Sequence, residues 1–185
     1  MAAVASHQGF EDSGERLRQA ALELFSQDGY HGVSLRRLAN VVGLLPGSLY
    51  HHFDGKQELL FELIEDHELE VLQLFKAAAG KRPVWQAPRG LLEDYLALVQ
   101  AQRASAQVAH HEFRHLNPGQ QARIRTIRRR QVQALSEVLG RAGREQGLAL
   151  EGLAQLLLAM PPAQADDAMA SGVAGLIVEL ARRRL

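Results

Sequence analysis

Residues 35–53 read LRRLANVVGLLPGSLYHHF and hold two short helix-forming segments on either side of a glycine. In the first segment, residues 35–42, apolar side chains recur at steps of three and four, and Ser34 in front of it is a favourable N-cap. Gly43 breaks this pattern, and Pro46 suits the first turn of the next segment, where its missing N–H is no loss. The stretch therefore predicts two helices joined by a tight turn.

The second of these segments, residues 46–52, offers few apolar side chains to a core. Leu49 must point inward, as must Phe53 directly after the segment. The side chains left on the outside are small or can form hydrogen bonds: Gly47, Ser48, Tyr50, His51 and His52. Small residues let another surface approach closely, and Ser, Tyr and His can bond to phosphates and base edges. The pair of segments suggests a helix-turn-helix, whose second helix lies in the major groove of DNA.

The rest of the chain repeats a helical pattern between glycine and proline breaks. Apolar residues recur at helical steps within residues 15–28, 56–79, 89–104, 105–116, 118–146, 150–160 and 165–184. The pattern begins at Glu15, and residues 1–13, which are small and polar, are expected to be mobile. No run alternates with the period of two that a half-buried strand needs. The sequence therefore predicts an all-α chain.

Composition narrows the class of protein. The chain has 185 residues, of which 46% are hydrophobic, and a formal net charge of zero, so it should fold and shows no global charge bias toward nucleic acid or membrane. It has no cysteine, which excludes disulfides and thiolate metal ligands and fits a reducing compartment. The N-terminus lacks a signal-peptide pattern, and no apolar stretch is long enough to span a bilayer. We expect a soluble cytoplasmic protein with no membrane partner and no cofactor.

Residues 15–60 resemble the DNA-binding domain of the TetR family of bacterial transcriptional regulators. The matching positions run in order through the segment: Ala21, Leu24, Phe25, Gly29, Tyr30, Gly32, Val33, Ser34, Leu38, Ala39, Val42, Gly43, Leu44, residues 47–53, Lys56, Gln57, Glu58, Leu59 and Leu60. The resemblance implies an all-α fold in which residues 1–56 form an N-terminal arm and a three-helix helix-turn-helix DNA-binding domain. Residues 57–185 would then form an α-helical effector-binding and dimerisation domain.

The resemblance also implies particular DNA contacts. Ser34 matches a hydroxyl at a helix start that holds a phosphate, Arg36 matches a residue that contacts a base or phosphate, and Lys56 matches a lysine that grips the DNA backbone. The predicted DNA-binding residues are Ser34, Arg36, Arg37, Pro46, Gly47, Ser48, Tyr50, His51 and Lys56. Leu45 departs from the family pattern, which usually has a polar capping residue there, so the second helix should begin without a side-chain cap.

Polar residues on apolar stripes indicate a candidate effector site in the helical domain. His67 and Gln131 each interrupt such a stripe, and a buried polar group must face a ligand or find a partner in the core. The segment 118–146 is rich in arginine, which forms either a solvated face or a site for an anionic ligand. The region is loosely similar to TetR-type regulators of fatty-acid or steroid catabolism, some of which respond to acyl-coenzyme A thioesters. The predicted ligand-binding residues are His67, Tyr95, His111, Arg128 and Gln131.

The last predicted helix, residues 165–184, is rich in small residues, including Gly172 and Gly175. A glycine inside a helix costs about 1 kcal/mol relative to alanine, so repeated glycines suggest the close approach of another helix. The resemblance implies a homodimer built from the last two helices. Packing within one chain is the alternative explanation.

The sequence HEFRH at residues 111–115 offers a different class of function. On a helix, His111 and His115 would lie one turn apart and could share a zinc ion, with Glu112 as the base of a hydrolase. A catalytic zinc site needs a third protein ligand, and nothing in the sequence marks one. We therefore interpret these residues as part of a helix that at most lines an effector pocket, with a regulatory metal site as a further alternative.

A helical interaction protein that has lost DNA binding is another alternative, because Leu45 and Pro46 replace polar residues of the family. The favoured function is that of a dimeric, non-enzymatic transcriptional regulator. The resemblance implies a repressor that leaves its double-stranded operator DNA when a small-molecule effector binds.

Overall fold

The computed structural model describes residues 2–78, 87–142 and 158, and the regular elements of these residues are all helical. In this part of the chain, α-helices span Ala2–Gly32 (α1), Leu35–Val42 (α2), Lys56–Ala78 (α3), Ala87–Ala101 (α4), Arg103–His111 (α5) and Pro118–Ala142 (α6). Two 3₁₀ helices span Pro46–His51 and Phe113–His115. The prediction of an all-α chain is confirmed. No helix in the described ranges is long and apolar enough to cross a membrane.

The start of α1 differs most from the sequence pattern. The helix begins at Ala2, so the predicted start at Glu15 is wrong. Residues 2–14 show no apolar period, yet they can join the helix because extending a formed helix is far easier than nucleating one. The predicted helices at 150–160 and 165–184, and with them the proposed dimer interface, lie outside the described residues except for residue 158.

Gly29 divides α1 into a long and a short part. Its backbone angles, φ 73° and ψ 162°, are non-helical, and glycine adopts such a conformation without the strain of a side chain. The long part of α1 therefore ends at this glycine, as predicted from Asp28-Gly29, and a short second helical part continues to Gly32. The short part carries Tyr30 and His31, which contact the segment after α5.

The residues at the two ends of α2 and at the start of the first 3₁₀ helix set the bounds of these elements. The Oγ of Ser34 accepts a hydrogen bond from the backbone N–H of Arg37 at 3.1 Å and so caps α2. Gly43 ends α2 in the left-handed conformation, with φ 71° and ψ 26°. Pro46 begins the 3₁₀ helix, and Leu45 before it provides no side-chain cap. The predicted N-cap, glycine break and uncapped helix start are all confirmed.

One hydrophobic core joins the N-terminal helices to the helical body. α3 lies at its centre, because Leu59, Leu60 and Ile64 are fully buried. The same cluster takes side chains from α1, α2, the first 3₁₀ helix and the residues just after it, α5 and α6: Leu17, Ala21, Phe25, Leu38, Ala39, Leu49, Phe53, Val108, Ala109, Ile124 and Ile127. A second cluster around Phe75 packs the end of α3 against α4 and α6. α3 therefore belongs to both parts of the molecule, and the domain boundary at residue 56 stays a prediction.

A buried carboxylate ties α3 to α6. Glu68 is 6% exposed, and its Oε1 accepts a hydrogen bond from Arg128 Nε at 2.7 Å. Gln131 Nε2 donates to Glu68 Oε2 at 2.8 Å and to the Glu68 carbonyl at 2.7 Å. Arg128 also donates from Nη2 to the Ala109 carbonyl of α5 at 2.9 Å. Because a buried charge is costly without partners, these bonds hold three helices in one arrangement.

His67 is buried beside this network. It is 7% exposed, and its Nδ1 has no hydrogen-bond partner among the described residues. Burial lowers the pKa of His67, while the carboxylates of Glu68 and Glu70 act in the opposite direction. The folded chain therefore favours the neutral imidazole.

His67 should make the chain less stable in acid. Because its folded pKa lies below the unfolded value of about 6.5, its contribution is complete above that pH and is lost as the pH falls through the folded pKa. We expect the free energy of unfolding, measured with urea, to fall between pH 7.5 and pH 5. The fall should be smaller in His67→Gln. The control His51→Gln changes an exposed histidine and should keep the wild-type fall; an undiminished fall in His67→Gln would contradict the assignment.

Candidate nucleic-acid interface

The outer face of α2 and the first 3₁₀ helix carries most of the predicted DNA-binding residues. Exposed on it are Ser34, Arg36, Arg37, Pro46, Gly47, Tyr50 and His51, and Ser48 is half-buried. Leu49 and Phe53 are buried, as predicted, and anchor the 3₁₀ helix to the core. Side chains held on such a rigid base can meet phosphates and base edges with little loss of conformational freedom. We call this surface the outer face.

His52 departs from its predicted outward position. It is half-buried, and its Nε2 lies 3.3 Å from Ser13 Oγ on α1. A Cβ placed on Gly14 would lie 3.4 Å from the His52 ring, so the imidazole packs closely on α1. His52 therefore fastens the end of the 3₁₀ helix to α1 and is not part of the outer face.

The two arginines of α2 differ in how their charges are used. Arg37 Nη2 lies 2.7 Å from Asp28 Oδ2, so its charge is paired with a carboxylate of α1. Arg36 is exposed, and no salt bridge in the described part of the chain includes it. Arg36 therefore offers a full guanidinium to a partner at the outer face, whereas Arg37 must share its charge with Asp28.

Lys56, the first residue of α3, lies against an aromatic cluster. Its Nζ is 4.0 Å from the centroid of the Tyr30 ring and 6.0 Å from that of Phe25, which is cation–π geometry. Burial lowers the pKa of Lys56, and the carboxylate of Glu112 acts in the opposite direction. The contact to a DNA phosphate that the resemblance implies for Lys56 stays a prediction.

Large apolar side chains are also exposed on the outer face. In the described ranges the exposed large hydrophobic residues are Val41 at 58%, Leu45 at 76% and Tyr50 at 61%. Tyr50 is a predicted DNA contact, whereas Val41 and Leu45 are not. A signal for both is visible in the sequence, because Val41 lies off the apolar stripe of α2 and Leu45 stands where a polar cap is favourable. The outer face therefore has an apolar component as well as hydrogen-bond donors.

The HEFRH sequence does not form one continuous helix. α5 ends at His111, Glu112 is its C-cap, and Phe113–His115 form the second 3₁₀ helix. The two histidines therefore lack the helical spacing that would let them share a zinc ion. In the described part of the chain, no group of three or more histidine, aspartate or glutamate side chains could hold a metal ion.

Glu112 and His115 instead connect the helical body to α1. Glu112 is 7% exposed, and its Oε2 accepts a hydrogen bond at 3.1 Å from the N–H of Tyr30, the residue after the break at Gly29. His115 stacks on the Tyr30 ring with centroids 5.7 Å apart, and its Nδ1 lies 3.1 Å from His31 Nε2. Burial lowers the pKa of His115, His31 adds to the effect, and Glu112 opposes it. We call Tyr30, His31, Glu112 and His115 the junction.

A chain of amide side chains continues the junction into α3 and α6. Gln57 Nε2 donates to the His115 carbonyl at 2.9 Å and to Gln120 Oε1 at 3.1 Å. Gln120 Nε2 donates in turn to Glu58 Oε2 at 3.0 Å. The first turn of α3 is therefore bonded to the start of α6 and to the second 3₁₀ helix.

Most of the predicted ligand-binding residues lie around Glu68 between α3, α4 and α6: His67, Tyr95, Arg128 and Gln131. Burial raises the pKa of Tyr95 to about 12, and Glu68 acts in the same direction. The fifth predicted residue, His111, is exposed at the C-terminal end of α5. Glu68 itself is not among the predicted residues, although it stands four residues after Ile64 on the apolar stripe of α3.

A short helix anchored on a helical core, with exposed donors and a tight turn before it, is the arrangement of a helix-turn-helix domain. The family described as bacterial regulatory proteins, tetR family, matches residues 17–63, which include this whole arrangement. This N-terminal part of the chain therefore resembles the DNA-binding domain of the tetR family of bacterial regulatory proteins. The curated proteins that match this part of the chain are described as transcriptional regulators.

Similar proteins agree with this assignment. The HTH-type transcriptional regulator UidR of Escherichia coli K12 is 34% identical over 61 residues, which are 33% of this chain and 31% of UidR, so the match spans about a third of that protein. A bacterial regulatory protein in the tetR family from Rhodococcus RHA1 superposes with a TM-score of 0.77 at 25% identity, covering 92% of this chain and 95% of that one. AibR, solved with isovaleryl coenzyme A and operator DNA, has the same fold, with a TM-score of 0.67 at 18% identity over 86% of this chain and 97% of AibR.

Removing the carboxylate of the junction should destabilise the fold. Glu112→Ala leaves the N–H of Tyr30 without its buried acceptor, which should lower the free energy of unfolding by roughly 1–3 kcal/mol. Glu112→Gln keeps an acceptor oxygen and should lose less. Urea denaturation monitored by circular dichroism gives both values. Equal losses in the two variants would show that the hydrogen bond to Tyr30 is not the stabilising contact.

Proposed function

We propose that this chain is a dimeric transcriptional repressor that binds operator DNA through the outer face and is released when a small apolar molecule binds in the helical body. The outer face carries the proposal, because its donors stand on a 3₁₀ helix anchored by Leu49 and Phe53. Regulators of the tetR family are often repressors and act as dimers. Two outer faces in a dimer would recognise a pseudo-palindrome with half-sites about 34–36 Å apart, or a multiple of that spacing.

Arg36 is the proposed base-reading cation of the outer face. It is exposed and free of salt bridges in the described part of the chain, and a guanidinium can donate two hydrogen bonds to guanine O6 and N7. Tyr50 and His51 are proposed to donate to phosphates or base edges, together with Ser34 and Ser48. Because the net charge of the chain is zero and Arg37 is paired with Asp28, we expect a shallow dependence of operator affinity on salt.

Arg36→Ala should weaken operator binding by roughly tenfold to a hundredfold, since a bidentate contact to a base is worth about 1–3 kcal/mol. Arg37→Ala should have a smaller effect, because Asp28 already neutralises that guanidinium. Affinity is measured by fluorescence anisotropy at several salt concentrations, with an operator selected from random DNA. The matched control is Arg129→Ala, which removes an exposed arginine of α6 outside the outer face. If Arg36→Ala and Arg129→Ala bind equally well, Arg36 does not contact the operator and its proposed base-reading role fails.

The proposed effector is a mainly apolar molecule, with an acyl-coenzyme A thioester as the first choice. His67 supports this site, because its buried Nδ1 has no partner in the described ranges and could bond to a polar group of a ligand. Tyr95 and Gln131 would stand beside it, with His111 nearer the solvent. AibR, which shares the fold, binds an acyl-coenzyme A thioester in its structure with operator DNA, which makes this ligand class a reasonable one to test.

The arginines of α6 differ in their availability to the phosphates of such a ligand. Arg128 is bonded to Glu68, and Arg123 Nε lies 2.6 Å from Glu65 Oε1, so both already have a carboxylate partner. Arg129 and Arg130 are exposed. We propose that the exposed arginines meet the phosphates, while Arg128 orders the wall of the site through Glu68.

Release from DNA requires a link between the ligand site and the outer face. α3 and the junction are the proposed link, because Gln57 bonds to both His115 and Gln120 and so joins the first turn of α3 to α6. A hundredfold loss of operator affinity needs about 2.7 kcal/mol of coupling free energy, and operator must weaken ligand binding by the same factor.

Calorimetry can test the effector and its coupling together. Isovaleryl-, octanoyl- and palmitoyl-coenzyme A are titrated with and without operator, and the matching free acids serve as controls. We expect a thioester to bind and saturating operator to weaken it by the factor by which the thioester weakens operator binding. His67→Leu should weaken the thioester and leave unliganded operator affinity unchanged.

Two outcomes would contradict parts of this proposal. A thioester that binds without changing operator affinity is not an effector. If Arg129→Glu binds the thioester as the wild type does, this arginine does not contact the phosphates and belongs to a solvated face.

A further inference from the structure

Among the residues that the structure describes, the exposed large hydrophobic side chains lie close together in sequence, on α2 and around the first 3₁₀ helix. In the described part of the chain, the exposed large hydrophobic residues are Val41, Leu45 and Tyr50, and all three fall within ten residues of sequence. Water-exposed apolar surface is common when scattered, but a concentration at one place marks a contact surface. We call Val41 and Leu45 the apolar pair.

The apolar pair contributes little to folding. The core of this region is filled by Leu38, Leu49 and Phe53, which are 6% exposed or less. Leu45 occupies the N-cap of the first 3₁₀ helix, where its side chain makes no capping hydrogen bond. Serine, threonine, asparagine or aspartate would stabilise that position. An exposed leucine at this cap position is therefore better explained by a contact with another molecule than by folding.

We infer that Leu45 and Val41 contact the C5-methyl groups of thymine and so make thymine a preferred base in each operator half-site. The inference rests on the proposed function, since it assigns part of the specificity of the same face. The thymine methyl is the apolar group that base pairs present in the major groove. Val41 and Leu45 lie in sequence between two proposed polar DNA contacts, Arg36 before them and Tyr50 after them.

Leu45 has the better position of the two for a base contact. In a helix-turn-helix, the residues at the N-terminus of the second helix meet base edges, whereas the first helix crosses the DNA backbone. Leu45 directly precedes the second helix and is 76% exposed. Val41 is 58% exposed in the last turn of the first helix, beside the turn that leads into the second, and we assign to it the methyl group of a different base pair.

Deoxyuridine provides a direct test, because it lacks only the methyl group of thymidine and keeps its hydrogen-bonding pattern. Each thymine of a selected operator is replaced in turn, and affinity is measured with the full-length protein. At one or two positions per half-site, the replacement should weaken binding by about fourfold, the effect of one buried methyl group. Other thymines should be insensitive.

Protein variants assign each sensitive thymine to its residue. Leu45→Ala should abolish the deoxyuridine effect at one position and Val41→Ala at another, while each variant keeps the other effect. Leu45→Met should retain much of the effect, because it keeps an apolar side chain of similar size. Leu45→Ser has a distinctive signature: it should raise the thermal midpoint by adding a cap, and it should weaken operator binding.

The outcomes separate this inference from the proposed function. Tight operator binding with no sensitive thymine would overturn the methyl contact and leave DNA binding intact. Sensitivity that persists unchanged in both Leu45→Ala and Val41→Ala would also overturn it. A shift of Leu45→Ser toward monomer in ultracentrifugation without DNA, with no sensitive thymine, would assign the apolar pair to a protein contact instead. If no DNA sequence is bound above the non-specific level, the proposed function fails and the methyl contact fails with it.

Discussion

Burial of the first half of α3 is the constraint on which the other contacts depend. Leu59, Leu60 and Ile64 are fully buried, and the cluster they share includes side chains from α1 and α2 as well as α5 and α6. Because a close-packed core does not deform continuously, a displacement of α3 must move the helix-turn-helix and the helical body together. The polar contacts at the junction then set the orientation that this shared core allows.

Local features of the helix-turn-helix could be predicted from sequence because they depend on neighbouring residues. Ser34 caps α2 through an N–H three residues away, and Gly43 ends the helix through its own backbone angles. The junction could not be predicted in this way, since Tyr30 and Glu112 are 82 residues apart and nothing local indicates their hydrogen bond. The same holds for Glu68, whose partners are 60 and 63 residues further along the chain.

HEFRH shows that a short sequence pattern does not by itself determine the role of its residues. The spacing alone suggests a metal site, but α5 ends at His111, and Glu112 turns its carboxylate to a backbone N–H of α1. His115 contacts both His31 and the Tyr30 ring. These side chains thus have a structural role in place of the metal-binding role that their spacing suggests, because the end of α5 at His111 decides which groups they can reach.

The bonds around Glu68 also restrict how sequences of this type can diverge. Glu68 is 6% exposed, and without the guanidinium of Arg128 its carboxylate would keep only the amide of Gln131 as a partner, which is costly for a buried charge. Replacing both partners by apolar residues of similar volume is much less harmful. Positions 68 and 128 should therefore covary among relatives as a charged pair or an apolar pair, with position 131 following, because its amide serves the same carboxylate.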